Sequence, residues 1–180
     1  TGVFDAFLDE NGLRSFALQC EDEAESLRRI LAAPLPHEAR EALERVVSVF
    51  RGPLAVRSSS LLEDSPQQPL AGIYGTWLLP NDHPDPAHRL EQLMDAVKRV
   101  YATTFSHRAR VFLEATQYRL EEEAMAVVIQ RLVGARHGDR FYPHISGVAR
   151  SHNYYPQEPA RPEDGIAAVA LGLGRTVAEG

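Results

Sequence analysis

Cysteine is almost absent from this chain: among 180 residues, Cys20 is the only one. No internal disulfide can form, which fits a reducing compartment and gives a cytoplasmic expectation. Long apolar runs are missing as well. None approaches the ~20 residues that a membrane-spanning helix needs, so no membrane partner is expected. The first residues carry neither the basic segment nor the apolar core of a signal peptide. Runs of lysine and arginine are lacking, and the formal net charge is −6. Neutralising a nucleic-acid backbone takes clustered cations, so nucleic acid is not an expected partner. A small anion stays open, because a few local arginines suffice for it. The phosphate loop G-x-x-x-x-G-K-[ST] does not occur either. Thr1 is not a methionine, and the closing "GLGRTVAEG" reads as mid-domain text. The expectation is a fragment, residues 1–180, cut at both ends.

What is present is globular: 44% hydrophobic and 24% charged residues, in a length that suits one domain with a real core. "VFDAFLDENG" reads as a short helix closed by Gly12. Residues 22–32 read as a second helix, with Leu27, Ile30 and Leu31 on one face. In "LPHEAREALERVVSVFRG" Ala39, Leu43, Val46, Val47 and Phe50 recur at helical spacing, and Gly52 with Pro53 ends the run. Leu54 to Val56 reads as a strand, and Tyr74 to Leu79 as another. Asp85 and Pro86 can cap and open the next helix. Its stripe Leu90, Leu93, Met94, Val97, Val100 and Tyr101 is the strongest periodic signal in the chain, continuing after a bend near Thr103 to Ala115. "AMAVVIQRLV", 124–133, suits a buried strand. "GARHGDR" reads as a turn, and residues 145–151 as one strand of a hairpin. "IAAVALGLG" is ambiguous between strand and helix. Helices first and mixed strands later give an α+β expectation.

One stretch stands apart: "LAVRSSSLLEDSPQQPLAGIYGT", residues 54–76. A strand runs into Arg57, Ser58, Ser59 and Ser60, then a proline-containing polar loop leads to Ala71 and Gly72. The plainer reading is a strand ending in solvated residues. The functional reading starts from geometry. An arginine at a strand end aims a rigid fork of donors beyond the sheet and suits phosphate oxygens. Serines add donors, and Ala71, Gly72 and Gly75 let backbone approach a ligand closely.

These residues carry a resemblance. "AVRSSSLLEDSPQQPLAG" resembles the "VRSSA.AED.P..SFAG" signature of the nucleotide-binding domain of phosphoenolpyruvate synthases and pyruvate phosphate dikinases; rifampin phosphotransferases have a similar domain. "FDAFLDENGL", "LMDAVKRVYATTFSHRARVF", "MAVVIQRLV", "SGVARSHN" and "ALGLGRTVAEG" are similar to further family motifs in the same order. The resemblance implies an ATP-grasp fold, of which this chain is most of the first lobe and the start of the second. It implies ATP as ligand, and phosphoryl transfer to a histidine on a swivelling domain and then to pyruvate. That histidine belongs to a Gly-Gly-x-Thr-Cys-His context that the chain lacks, so none of its seven histidines is taken as the carrier. By the same resemblance Arg57 grips the phosphates as the catalytic candidate, with Ser58 and Ser59 beside it. Ala71 and Gly72 belong to a covering loop. Gln130 and Leu132 lie near adenine, and Arg131 alternates to the other strand face, toward phosphate or solvent. Mg²⁺ is implied, with ligands beyond this fragment.

Two departures stand out: the family's glutamine after "FAG" is Ile73, and its glutamate in "GLGE" is Arg175. They leave room for a nucleotide-sensing or interaction module without catalysis, or for a phosphotransferase with another acceptor. Other constellations have plainer readings. His83 with His88, and His137 near Asp139, read as solvated loop histidines without a third ligand. "LEEEAM" reads as a solvated turn. Glu63 and Asp64 read as loop caps, and Tyr74 and Trp77 as core.

Overall fold

The computed structural model describes residues 2–60, 73–114, 119–120, 123–174 and 177. The chain divides into two compact units, Thr1–Leu132 and Val133–Gly180. The first contains α1 (Gly2–Glu10), α2 (Arg14–Gln19), α3 (Glu23–Ala32), α4 (His37–Val49), β1 (Leu54–Ser60), β2 (Thr76–Leu79), α5 (Pro86–Thr103), α6 (His107–Glu114) and β3 (Met125–Arg131). The second contains β4 (Ala135–His137), β5 (Arg140–Tyr142), β6 (Ile145–Arg150) and β7 (Ile166–Leu171). The mixture is α+β, as expected.

Local chemistry sets the helix limits. Asp22 caps α3, its Oδ1 accepting from the Ala24 and Glu25 amides at 2.9 and 3.2 Å. Asp85 does the same for α5 through the Ala87 amide at 2.9 Å, and Pro86 follows with a backbone already set for a first turn. The bend after Thr103 is real, and α6 resumes at His107. The short helix α2 was not foreseen: six residues are too few for a periodic signal.

In the first unit the strand order is β2-β1-β3, both pairings antiparallel. Helix α5 buries Leu90, Leu93, Val97, Val100 and Tyr101 in a core shared with Phe4, Phe7, Ile30 and Val56. The Tyr101 ring lies 5.0 Å from Phe4 and 5.5 Å from Phe7, and burial pushes its hydroxyl pKa up to about 12.

Three cations of α5 and α6 each hold the carbonyl end of an earlier helix. Arg110 donates to Ala17, to Leu18 (2.8 Å) and to Cys20 (3.2 Å) at the end of α2. Lys98 donates to Leu31 and to Ala33 (3.2 Å) at the end of α3, and burial lowers its pKa. Arg89, only 2% exposed, donates to Val47 (2.8 Å) and Phe50 (3.4 Å) at the end of α4 and to the Asn81 amide oxygen (3.4 Å). Helix ends leave carbonyls without intrahelical partners and carry partial negative charge, so cations suit them on both counts. Asn81 extends the tie, donating to Phe50 and Gly52 at 3.0 and 3.1 Å.

At the other end of the unit, Arg14 clasps Asp9 (Nε–Oδ1 2.7 Å) and Asp5 (Nη2–Oδ1 2.8 Å). Hydrogen bonding from Arg14 lowers the Asp9 pKa. A lowered folded-state value means the pair stabilises above the unfolded carboxylate value of about 3.9, and that stabilisation is lost as pH falls through the lower native value. An NMR titration of the Asp9 carboxyl should therefore show a midpoint below the ordinary one, and Arg14→Gln should move it back up. An unshifted midpoint in the native chain would mean that the clasp does not persist in solution.

In the second unit the ambiguous "IAAVALGLG" begins as strand β7, antiparallel to β6 with Ile145 opposite Leu171 and Arg150 opposite Ile166. "GARHGDR" is more than a turn: it contributes β4 and the start of β5, reversing through Gly138, whose φ of +66° favours glycine. Three-residue strands are too short for alternation to reveal them. Residues 151–165 fold back on themselves, with the Asn153 amide donating to Pro162 at 2.8 Å and that of Arg161 to the Asp164 carboxylate at 2.8 Å.

Candidate functional site

β1 does not stop at Val56. It runs on through Arg57, where β2 and β3 flank it on both sides, and then through the three serines, where β3 alone pairs with it. Arg57 is thus mid-strand rather than at a strand end: one edge meets Thr76 and the other Val128. Period-two alternation divides the remaining residues. Arg57 and Ser59 are exposed, whereas Ser58 and Ser60 are buried on the opposite face with Val56. Ser59, not Ser58, shares a sheet face with Arg57.

The register then builds the face row by row. Thr76, Arg57 and Val128 form one row; Leu78, Ala55 and Gln130 form the next. Gln130 is exposed and lies diagonally across from Arg57, about 7–8 Å away between the backbones. A ligand of a few rings' length spans both. Arg131 pairs with Leu54 on the opposite parity, toward the helices, and is exposed at the strand end. Leu132 donates its amide to Pro53 at 3.0 Å, prolonging the ladder by one bond. Ala71, Gly72, Glu63, Asp64 and Arg175 lie outside the described residues.

Among the described residues, nothing pairs with the Arg57 guanidinium, whereas Arg14, Arg89, Arg99 and Arg110 are all bonded. Five donors on a planar fork face away from the core, with no acidic neighbour in either row. Such a group accepts an anion without first giving up an ion pair. Leu78, 65% exposed, and Val128, 42% exposed, lie in those rows and offer apolar surface beside the charge. Thr76 and Val128 escaped the sequence reading, since only pairing register reveals a cross-strand neighbour.

The histidines gather differently. His83 and His88 face each other at 4.2 Å, and His137 stacks on Tyr142 at 4.1 Å with His144 edge-on at 5.0 Å. Among the described residues no cluster of three or more His, Cys, Asp or Glu could hold a metal. Tyr74 is buried and Trp77 half-buried against the core; Glu123 of "LEEEAM" is buried rather than solvated. No described helix is long and apolar enough to cross a membrane.

A family model described as pyruvate phosphate dikinase, AMP/ATP-binding domain, matches residues 3–180. A phosphoenolpyruvate synthase of Aeropyrum pernix is 27% identical over 143 residues, which is 75% of this chain and 17% of that relative. The chain thus spans a small part of the relative's length.

Proposed function

The chain belongs to the family of the pyruvate phosphate dikinase AMP/ATP-binding domain, and from that premise we propose that it is the ATP-gripping part of a phosphotransferase. The enzyme would be of the phosphoenolpyruvate synthase or dikinase kind, with ATP-grasp architecture. One observation carries the reading: Arg57 stands exposed and unpaired among the described residues on an open sheet face. Its fork would hold the phosphates and neutralise the charge that develops in transfer. Ser59 shares its face. Gln130, one row further along the sheet, and Leu132, just past the strand end, would meet the base. Ser58 would act from the core face, by keeping β1 in place, and Arg131 from the strand end. Ala71 and Gly72 would close over the phosphates.

Mg²⁺ commonly binds through one or two carboxylates together with phosphate oxygens. The two rows around Arg57 contain no carboxylate, so its protein ligands would come from elsewhere than this face. Bound there, the ion would draw charge from the phosphates. The phosphoryl acceptor would be a histidine on a swivelling domain of the longer protein, with pyruvate receiving the group afterwards, in the cytoplasm.

A nucleotide-sensing module is the second reading. Ile73, where the family has glutamine, packs half-buried against the core instead of offering a polar contact. Incubating the full-length protein with ATP labelled at the β or γ phosphate separates the two. Acid-labile label on protein is the expected result. ATP binding without label would favour sensing, and no binding at all would overturn both.

A further inference from the structure

Between α3 and α5 a cavity of about 140 Å³ opens beside β2, lined by Leu27, Trp77, Ala102 and Phe105 and by the charged residues Glu23 and Arg99. We propose that this cleft binds a small aliphatic α-amino acid. Gly75 borders this wall closely: a Cβ there would fall 2.3 Å from the Trp77 ring, so a larger residue would displace the indole.

Four of these residues give an apolar lining, and the two charged groups have spare capacity. Arg99 donates through Nε to Asp95 at 2.6 Å, and neither Nη has a partner among the described residues. Glu23 accepts the His107 amide through Oε2 at 3.4 Å, and its Oε1 has none. A carboxylate alone would meet the guanidinium but also the like charge of Glu23. An ammonium alone would leave both Nη groups of Arg99 without an acceptor, although Asp95 already balances part of that charge. An α-amino acid carries both charges and pairs each with its opposite. A single water needs only about 10–15 Å³ of such space, so 140 Å³ leaves room for a branched side chain of valine size on the indole. Apolar walls with a few placed polar groups are the ordinary make-up of a small-molecule site. Nothing in this inference depends on nucleotide binding at Arg57.

Trp77 is the only tryptophan in these 180 residues, so it reports from inside the cleft. The protein at its natural length is titrated with L-valine, and a Trp77→Phe variant titrated in parallel is subtracted as the blank. A saturating change in indole emission at millimolar L-valine is expected. Isobutyrate and isobutylamine, each with one of the two charges, should need at least tenfold more. Arg99→Gln and Glu23→Gln, both at exposed or half-exposed positions, should each weaken L-valine about tenfold with the circular dichroism unchanged. A linear response, equal responses to the one-charge analogues, or unchanged binding in both variants would overturn the proposal.

Discussion

Replacing Arg89 by alanine should destabilise the first unit by about 3 kcal/mol, a large effect for a polar side chain. Opposing contributions decide that figure. Burial disfavours the charged guanidinium and lowers its pKa, with Arg51 adding repulsion, so removing it recovers some desolvation. Against this, three oxygens lose a charged donor inside the protein: the carbonyls of Val47 and Phe50 and the Asn81 amide oxygen. Phe50 keeps its Asn81 donor, so the penalty falls on the Val47 carbonyl and the Asn81 amide oxygen; at roughly 1–3 kcal/mol for each unsatisfied buried acceptor, the loss still outweighs the recovery. All three bonds leave from the one Nη1 atom, so Arg89→Lys, with three donors on one nitrogen, should rescue part of the loss to the extent that its ammonium reaches the same point. Denaturant midpoints give the answer: a loss under ~1 kcal/mol for Arg89→Ala would mean that water replaces the guanidinium.

Arg57→Ala should do the reverse, sparing stability and weakening ATP. Its side chain is exposed and without a partner among the described residues, so unfolding should shift by no more than ~0.5 kcal/mol. Loss of a charged donor to phosphate should cost ~1.5–3 kcal/mol of binding, roughly 10- to 150-fold in affinity. Arg57→Lys should fall between, keeping charge and losing the bidentate fork. Calorimetry with Mg-ATP on the full-length protein reads this directly, and equal affinities in native and Ala proteins would reject Arg57 as a phosphate ligand.

Much of this architecture could be read from the sequence where one periodicity runs long. The α5 stripe from Leu90 to Tyr101 and its Asp85–Pro86 start needed no partner to be recognised. Arg57 stood out because an arginine interrupts an apolar strand. Its position within that strand did not, since only the ladders to Thr76 and Val128 show that β1 continues. The same blindness to pairing placed Ser58 beside Arg57, where alternation puts it on the opposite face. Arg89 left a faint trace: with Leu93 and Val97 it falls on the apolar stripe at intervals of four, an odd place for a cation. What it bonds, 42 positions away at Val47, lies beyond any local pattern.

Those long-range ties also order events during synthesis. The first half of this unit leaves the ribosome before the residues that clasp it, and domains form as their parts emerge. Until Arg89, Lys98 and Arg110 appear, the nascent α2, α3 and α4 lack these cations at their carbonyl ends, although Asn81 can reach the end of α4 slightly earlier. Chains stalled before residue 89 should stay sensitive to protease, and protection should arrive in steps as each clasp clears the exit tunnel.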